Sequence, residues 1–205
     1  MERTIITISR EYGSGGRLIG QKLAEALSLP FYDKELIEMA AEKSGLSPEF
    51  IRNSEETASS GFVFNLSAAS NITNGYFISS EPFFGDKAFF AQSAVIRDLA
   101  AKGSCVIVGR CAGYLLRDDP DCINIFVHSN LDDRLKRAAE VYGMDPNGLA
   151  NKLVKIDKAR ANYHKYYTGE QWSDMRSYHL AINTAMFGID GATQAILQLV
   201  QNRIG

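Results

Sequence analysis

The chain has 205 residues, of which 45% are hydrophobic and 22% are charged, and its formal net charge is -2 at pH 7. This length suits one domain with a sizeable core. A charge so close to neutral excludes the broad basic face that non-specific nucleic-acid binding needs, so we expect no nucleic-acid partner. We expect any positive potential to be local to a cleft. No apolar run approaches the roughly 20 residues of a membrane-spanning helix, so we expect no membrane partner either.

Cysteine usage indicates a reducing compartment. The three cysteines are odd in number and form no C-x-x-C pair,. The histidines do not cluster with them, so the sequence predicts no zinc site. Because the N-terminal residues also contain no long apolar segment of a secretory signal, we expect a cytoplasmic protein.

The first predicted element is a strand that leads into a glycine-rich turn. Residues 4–8 are rich in Ile and Thr, which suits a buried strand,. After the turn, apolar residues recur at helical spacing from Ile19 to Leu27,. A glycine turn at the start of a helix exposes backbone N–H groups at its positive end, which favours phosphate binding. The residues predicted to form this anion site are Gly13, Ser14, Gly15 and Gly16.

This turn departs from two well-known nucleotide motifs. The pattern G-x-x-x-x-G-K-[ST] fails in either register because its Lys and its hydroxyl residue are absent,. Arg17 is the natural substitute for that Lys, since a guanidinium is always charged and can bind two phosphate oxygens. The dinucleotide pattern G-x-G-x-x-G fails at Leu18. However, Asp33 lies at a distance suited to a ribose, so a dinucleotide-dependent oxidoreductase stays an alternative.

A second strand and two helices follow in the pattern. Residues 30–33 predict a short strand that ends in the carboxylate of Asp33, and residues 34–43 predict a helix. Pro48 then suits the first turn of another helix. Residues from about 55 to 88 break the rhythm with Ser, Asn, Gly and scattered aromatics. Such a segment is typical of a functional flap, a binding segment or an oligomer contact, although a plain surface insertion fits equally well.

The second half of the chain again alternates helices and strands. The pattern predicts a helix over 90–102 and a strand over 104–108, with Arg110 directly after that strand. Ligands of open α/β sheets gather outside the carboxyl ends of strands, which favours a ligand-binding role for Arg110 over a surface ion pair. The remaining predictions are a strand over 123–127, a helix over 131–141 with Asn130 or Ser129 as N-cap, a strand over 178–183, a loop over 184–189 and a helix over 192–204,.

A charged helical stretch over 145–160 separates two of these elements. Lys155, Lys158 and Arg160 fall within two turns, so a helix could bring at least two of these cations together. Fixed cations on such an arm could close over transferring phosphates, but a solvated helix face is an equally good interpretation. The chain as a whole has about five mostly buried strands with helices between them. It therefore predicts an α/β fold with a parallel sheet covered on both faces.

At this point the motifs together resemble the cytidylate-kinase-like family of P-loop nucleoside monophosphate kinases. The residues that carry the resemblance are 5–17, 30–33, 106–110, 157–160 and 182–184. The resemblance runs nearly end to end and is weakest from about 55 to 88. It implies a three-layer P-loop NTPase-like fold and a single domain over 1–205. It also implies an acceptor or flap insertion at about 50–90 and a lid at about 150–176.

The resemblance further implies transfer of the ATP γ-phosphate to a nucleoside monophosphate, most simply CMP or dCMP, with Mg²⁺ as cofactor. The expected partner is a small nucleotide, and a homo-oligomer could form through residues 55–90. A nucleotide-binding protein without catalysis, or a kinase of another small molecule, remains an alternative. Magnesium would lack its usual hydroxyl ligand and would rely on water, Ser14, Asp33 or Glu11.

The resemblance also implies roles for individual residues. Gly13, Ser14, Gly15 and Gly16 would hold the donor phosphates, with Arg17 supplying the charge of the missing Lys, and Asn183 and Thr184 would lie near the adenine. Asp33, Lys34 and Arg110 would bind the acceptor. Arg17, Arg110, Lys158 and Arg160 would act on the transferring group, with Lys155, Lys158 and Arg160 in the lid. Cys111 replaces the Asp that follows the matching arginine in cytidylate kinases.

Overall fold

A computed structural model describes residues 3–57 and 84–204. Five strands form one all-parallel sheet with the order β2-β3-β1-β4-β5. The strands are β1 (Ile5–Arg10), β2 (Phe31–Tyr32), β3 (Cys105–Val108), β4 (Cys122–His128) and β5 (Leu180–Asn183). The predicted parallel sheet is confirmed, and Asp33 directly follows β2.

Helices connect the strands and cover the sheet. They are α1 (Gly16–Leu27), α2 (Glu35–Ser44), α3 (Pro48–Thr57), α4 (Phe84–Lys102), α5 (Ala112–Leu115), α6 (Leu131–Glu140), α7 (Leu149–Thr168) and α8 (Thr184–Ile204), with a 3₁₀ turn at Met175–Ser177. Asn130 is the N-cap of α6, because its side chain accepts from the N–H of Asp133,. The helix predicted from residue 90 already includes Phe84.

The loop predicted over 184–189 is wrong. Helix α8 begins directly after β5, because the side chain of Asn183 accepts from the N–H of Ala185 and so starts the helix without a linker,. Gly188, with φ 65° and ψ 178°, interrupts the helix once. The glycine that suggested a loop in the sequence therefore marks a kink.

The core has two layers because successive residues of β1 point to opposite faces of the sheet. Ile5 packs with apolar residues of α2, α3 and α4, whereas Ile6 packs with those of α1 and α8. Both isoleucines are fully buried. The fold is therefore a three-layer α/β arrangement, as the sequence predicts.

Residues 58–83, which hold most of the aromatic segment, lie outside the described residues, so the flap and oligomer predictions for that segment stay untested. Among residues 3–57 and 84–204, no helix combines the length and the apolarity that a membrane crossing requires.

Candidate active site

The largest cleft described here lies at the carboxyl ends of β1 and β3. Its cavity volume is about 850 Å³. In this sheet the strand order reverses beside β1. Ligands of open parallel sheets bind in the crevice that such a reversal creates. The cleft is lined by the glycine turn, by Asp33 and by the arginines 10, 17, 110 and 160.

The glycine turn needs its glycines for two separate reasons. Gly13 and Gly15 have φ of 80° and 88°, a region that side chains disfavour,. A Cβ on Gly13 would also lie 2.7 Å from the backbone oxygen of Arg134. The turn therefore packs tightly against α6 as it bends from β1 into α1.

The N-terminus of α1 presents backbone N–H groups to the cleft. Ile19 donates to the carbonyl of Gly15, so the N–H groups of Gly16, Arg17 and Leu18 precede the first intrahelical bond,. The N–H of Ser14 instead donates to the carbonyl of Glu11 at 3.3 Å, and the Ser14 hydroxyl donates to the same carbonyl at 2.8 Å. The first turn of α1 thus retains donors for an anion, while Ser14 stabilises the turn itself.

Helix α6 holds the turn through two arginines to which we assigned no role from the sequence. Arg134 donates to the carbonyl of Tyr12 at 2.8 Å and forms an ion pair with Asp157. Arg137 donates to the carbonyl of Gly13 at 2.5 Å. Their i, i+3 spacing on α6 was the signal that could have revealed them, since such residues share one helix face.

Asp33 collects three arginines around one buried carboxylate. Arg17 Nε donates to its Oδ2 at 2.7 Å, and Oδ1 lies 3.8 Å from Arg10 and 3.7 Å from Arg110. Arg110 also donates to the backbone oxygen of Asp33 at 2.7 Å. The Asp33 side chain is 5% exposed, so this carboxylate offsets positive charge in a partly dehydrated site,. Arg10 is a cleft residue to which sequence reasoning assigned no role.

The backbone after β3 is strained where it delivers Arg110. Gly109, Arg110 and Cys111 have φ of 81°, 52° and 56°, although left-handed conformations cost non-glycine residues roughly 1–2 kcal/mol each,. A side chain on Gly109 would collide with the guanidinium of Arg10. The turn therefore lets Arg10 and Arg110 enter the same cleft, and strain of this kind is common at functional sites.

Helix α7 contributes one cation of the predicted lid to the cleft. Arg160 donates to the carbonyl of Arg10 at 3.0 Å and lies 3.7 Å from the carboxylate of Asp157. Asp157 in turn accepts from the N–H of Tyr12 at 2.7 Å. Lys155 and Lys158 are exposed and line neither cavity, so Arg160 is the one member of this predicted cluster that lines the cleft.

Among the residues predicted to bind adenine or the acceptor, Asn183 and Thr184 form hydrogen bonds within the protein, whereas Lys34 lines the cleft. Thr184 is buried, and its hydroxyl donates to the carbonyl of Ser14 at 2.7 Å, so its side chain supports the glycine turn. The side chain of Asn183 caps α8. Lys34 is exposed and lines the cleft at the start of α2. The assignments of these residues to adenine or acceptor stay predictions.

A smaller cavity of about 130 Å³ adjoins the cleft. It shares Arg10, Arg110 and Arg160 with the cleft. Its other lining residues are Ser9, Gly109, Cys111 and three ring-bearing residues, Tyr163, His164 and Trp172. Trp172 is fixed there, because the Tyr178 hydroxyl donates to its carbonyl at 2.7 Å and its ring meets Phe126 edge-on at 5.3 Å. A cationic cleft and a cavity with aromatic walls therefore share three arginines.

The described residues form no ready metal site. No group of three or more His, Cys, Asp or Glu side chains could hold an ion among residues 3–57 and 84–204. Asp33 is engaged by arginines, and the Glu11 carboxylate accepts from the Ser129 N–H at 3.1 Å and lies 3.4 Å from Arg134. Mg²⁺ prefers carboxylate and phosphate oxygens with several waters, and these carboxylates do not fit a direct site in this arrangement.

The fold and the cleft define an α/β protein of the P-loop type. Residues 5–186 match the model of the cytidylate kinase-like family, and the chain belongs to that family. It is 28% identical over 107 residues, 52% of the chain, to a cytidylate kinase of Aeropyrum pernix. That match covers 61% of the relative, so the chain spans about three fifths of the length of this curated protein.

Solved structures agree with the fold. An uncharacterized protein from Eubacterium ventriosum is 30% identical, with a TM-score of 0.73 over 97% of this chain and 99% of that one. A gluconokinase from Sinorhizobium meliloti is 17% identical, with a TM-score of 0.55 over 98% of this chain and 96% of that one. The second likeness concerns the α/β P-loop fold alone.

Proposed function

We propose that the protein transfers the γ-phosphate of ATP to a nucleoside monophosphate, with CMP or dCMP as the preferred acceptor. The observation that carries this proposal is the group of arginines 10, 17 and 110 around Asp33, in the cleft where α1 begins. Two polyanions meeting in one cleft need this concentration of charge. The family membership and the similarity to a cytidylate kinase support the same reaction class.

The chemistry requires little covalent participation by the protein. Phosphoryl transfer depends on aligning two phosphate groups and on neutralising the charge of the transferring group. The N–H groups of Gly16 and its neighbours would bind the donor phosphates, and Arg17 would replace the usual lysine. Arg110 and Arg160 would bind the acceptor phosphate, which is already an anion and needs no general base. Lys158 would reach the phosphates only if α7 moved toward the cleft.

Mg²⁺ would enter with the nucleotide. It supplies charge neutralisation between the donor phosphates when bound. Since Asp33 and Glu11 are occupied by arginines and a backbone N–H, we assign it no protein ligand and route no step through it. Arg10, Arg17 and Arg110 provide the fixed positive charge of this chain.

An ADP-release assay across monophosphate acceptors tests the proposal. We expect ADP formation that requires an added nucleoside monophosphate and yields the corresponding diphosphate. Saturable ATP binding with no transfer to CMP, dCMP, UMP, AMP or GMP would contradict it. That result would favour the second candidate, a nucleotide-binding protein without catalysis. The observation behind this candidate is the absence of the P-loop Lys and hydroxyl, together with the engagement of Arg17 by Asp33.

A further inference from the structure

The smaller cavity has the dimensions of a single aromatic ring. Its volume of about 130 Å³ is close to the roughly 150 Å³ of an engineered cavity that admits one benzene molecule,. Tyr163, His164 and Trp172 border it, and none of these three lines the larger cleft. A six-membered base therefore fits beside the arginines.

The order of residues on α7 matches the order of groups in a nucleotide. Arg160 and His164 are four residues apart, so they share one helix face and lie one turn, about 5.4 Å, from each other along the axis. Arg160 lines the phosphate cleft as well as the cavity, and His164 is 7% exposed. A phosphate on Arg160 would place a base, one ribose away, near His164.

The hydrogen bonds of His164 define its tautomer. The Thr168 hydroxyl donates its single proton to the His164 carbonyl at 2.7 Å. The Nδ1 atom of His164 lies 3.1 Å from the Thr168 hydroxyl oxygen and 3.3 Å from the carbonyl oxygen of Glu170. A carbonyl can only accept, so Nδ1 carries the proton. Nε2 then has a free lone pair, and it makes no hydrogen bond to residues 3–57 or 84–204.

Burial also favours the neutral form of the ring,. Burial lowers the pKa of His164, with the carbonyl of Glu170 opposing that effect,. An uncharged imidazole with Nδ1 protonated offers the cavity an acceptor at Nε2.

We propose that Nε2 of His164 accepts a hydrogen bond from the 4-amino group of a pyrimidine ring and so selects cytosine-type over uracil-type acceptors. This inference rests on the proposed function. Position 4 lies opposite the bond to the ribose, so its substituent enters the cavity deepest. Cytosine carries an N–H donor there, whereas uracil carries a carbonyl whose lone pairs would face the lone pair of Nε2.

The test compares kcat/KM for CMP and UMP, with nucleotide binding measured by calorimetry in the absence of ATP. Sites that hydrogen-bond a substrate group discriminate strongly against its absence, so we expect a CMP preference of about a hundredfold or more. His164→Phe removes the acceptor and should reduce that ratio at least tenfold. His164→Gln can return an oxygen near the position of Nε2 and should retain most of the preference.

Thr168→Val is the matched control, because it removes a partner of Nδ1 and leaves Nε2 in place. We expect this variant to keep the CMP preference. Equal use of CMP and UMP by the unaltered protein, an unchanged ratio in His164→Phe, or an equal loss in Thr168→Val would overturn the role of His164 alone. Failure of every monophosphate to bind or react would overturn the proposed function and this inference together.

Discussion

Arg17 and Asp33 form a direct ion pair, with Nε of the arginine 2.7 Å from Oδ2 of the carboxylate. The pair joins the first turn of α1, where phosphate would bind, to the end of β2, where the acceptor would bind. Arg17 is 43% exposed and Asp33 only 5%. The guanidinium is therefore accessible to an anion on its outer side while the carboxylate orients it from within.

Removing the Arg17 guanidinium should reduce phosphoryl transfer by roughly a hundredfold or more, as loss of one preorganised charge contact often does. We expect Arg17→Ala to lower kcat in the ADP-release assay. Arg97→Ala is the control, since Arg97 is exposed on α4 and lines neither cavity. Activity equal to that of the control would remove Arg17 from the catalytic site.

Arg110 should affect the acceptor rather than ATP. Its side chain is 8% exposed and donates to the Asp33 backbone on the acceptor side of the cleft. We expect Arg110→Ala to raise KM for the acceptor by about tenfold to a hundredfold, the range for one charged hydrogen bond. Calorimetric titration should give an unchanged ATP affinity. A weaker ATP affinity in a variant that remains folded by circular dichroism would show that Arg110 binds the donor.

The sequence predicted the elements that local patterns encode. The Ile-rich strand, the glycine turn and the position of Asp33 after β2 could be read directly, because periodicity and turn residues are local properties. Arg10, Arg134 and Arg137 were missed, since their functions depend on α6 and on the Gly109 turn, which meet β1 only in the folded chain. Lys155 and Lys158 shared a sequence cluster with Arg160, but the rotation of α7 directs only Arg160 to the cleft.

Gly13 should tolerate a side chain less well than a glycine of similar backbone conformation. Gly13 and Gly143 have φ of 80° and 65°, but a Cβ on Gly13 would meet the Arg134 backbone, and one on Gly143 would meet nothing within 4 Å. Gly143→Ala should lower the free energy of unfolding by about 1 kcal/mol, which is the conformational cost. Gly13→Ala should lower it by more and weaken ATP binding. Equal losses in urea unfolding would contradict the tight packing of the turn on α6.

The Thr184 hydroxyl should be required for the shape of the glycine turn. It donates to the Ser14 carbonyl at 2.7 Å from the first residue of α8. Thr184→Val keeps the volume but leaves that buried carbonyl without its donor, at a cost of about 1–3 kcal/mol. We expect a lower melting temperature and weaker ATP binding, with Thr184→Ser largely restoring each. Loss of ATP affinity in the Ser variant would instead indicate that the methyl group matters.

Two buried thiols should make the fold less stable at high pH. Burial raises the pKa of Cys105 and of Cys122 from 9.0 to about 11. Below pH 9 each thiol is protonated in the folded and the unfolded chain, so the stability that depends on the protonated thiols is fully present. Between pH 9 and about 11 the unfolded chain loses these protons first, so the free energy of unfolding falls by on the order of 2 kcal/mol per thiol.

The corresponding measurement is urea unfolding at pH 8 and pH 11 for the unaltered protein and for the double variant Cys105→Ala, Cys122→Ala. The variant should lose stability equally at each pH from its smaller side chains, because a cavity does not titrate. Its decrease between pH 8 and pH 11 should therefore be smaller than that of the unaltered protein. Burial also raises the pKa of Tyr178 to about 12, which supplies a pH dependence common to the two proteins. Identical decreases would mean that the thiols titrate alike in the folded and unfolded chain.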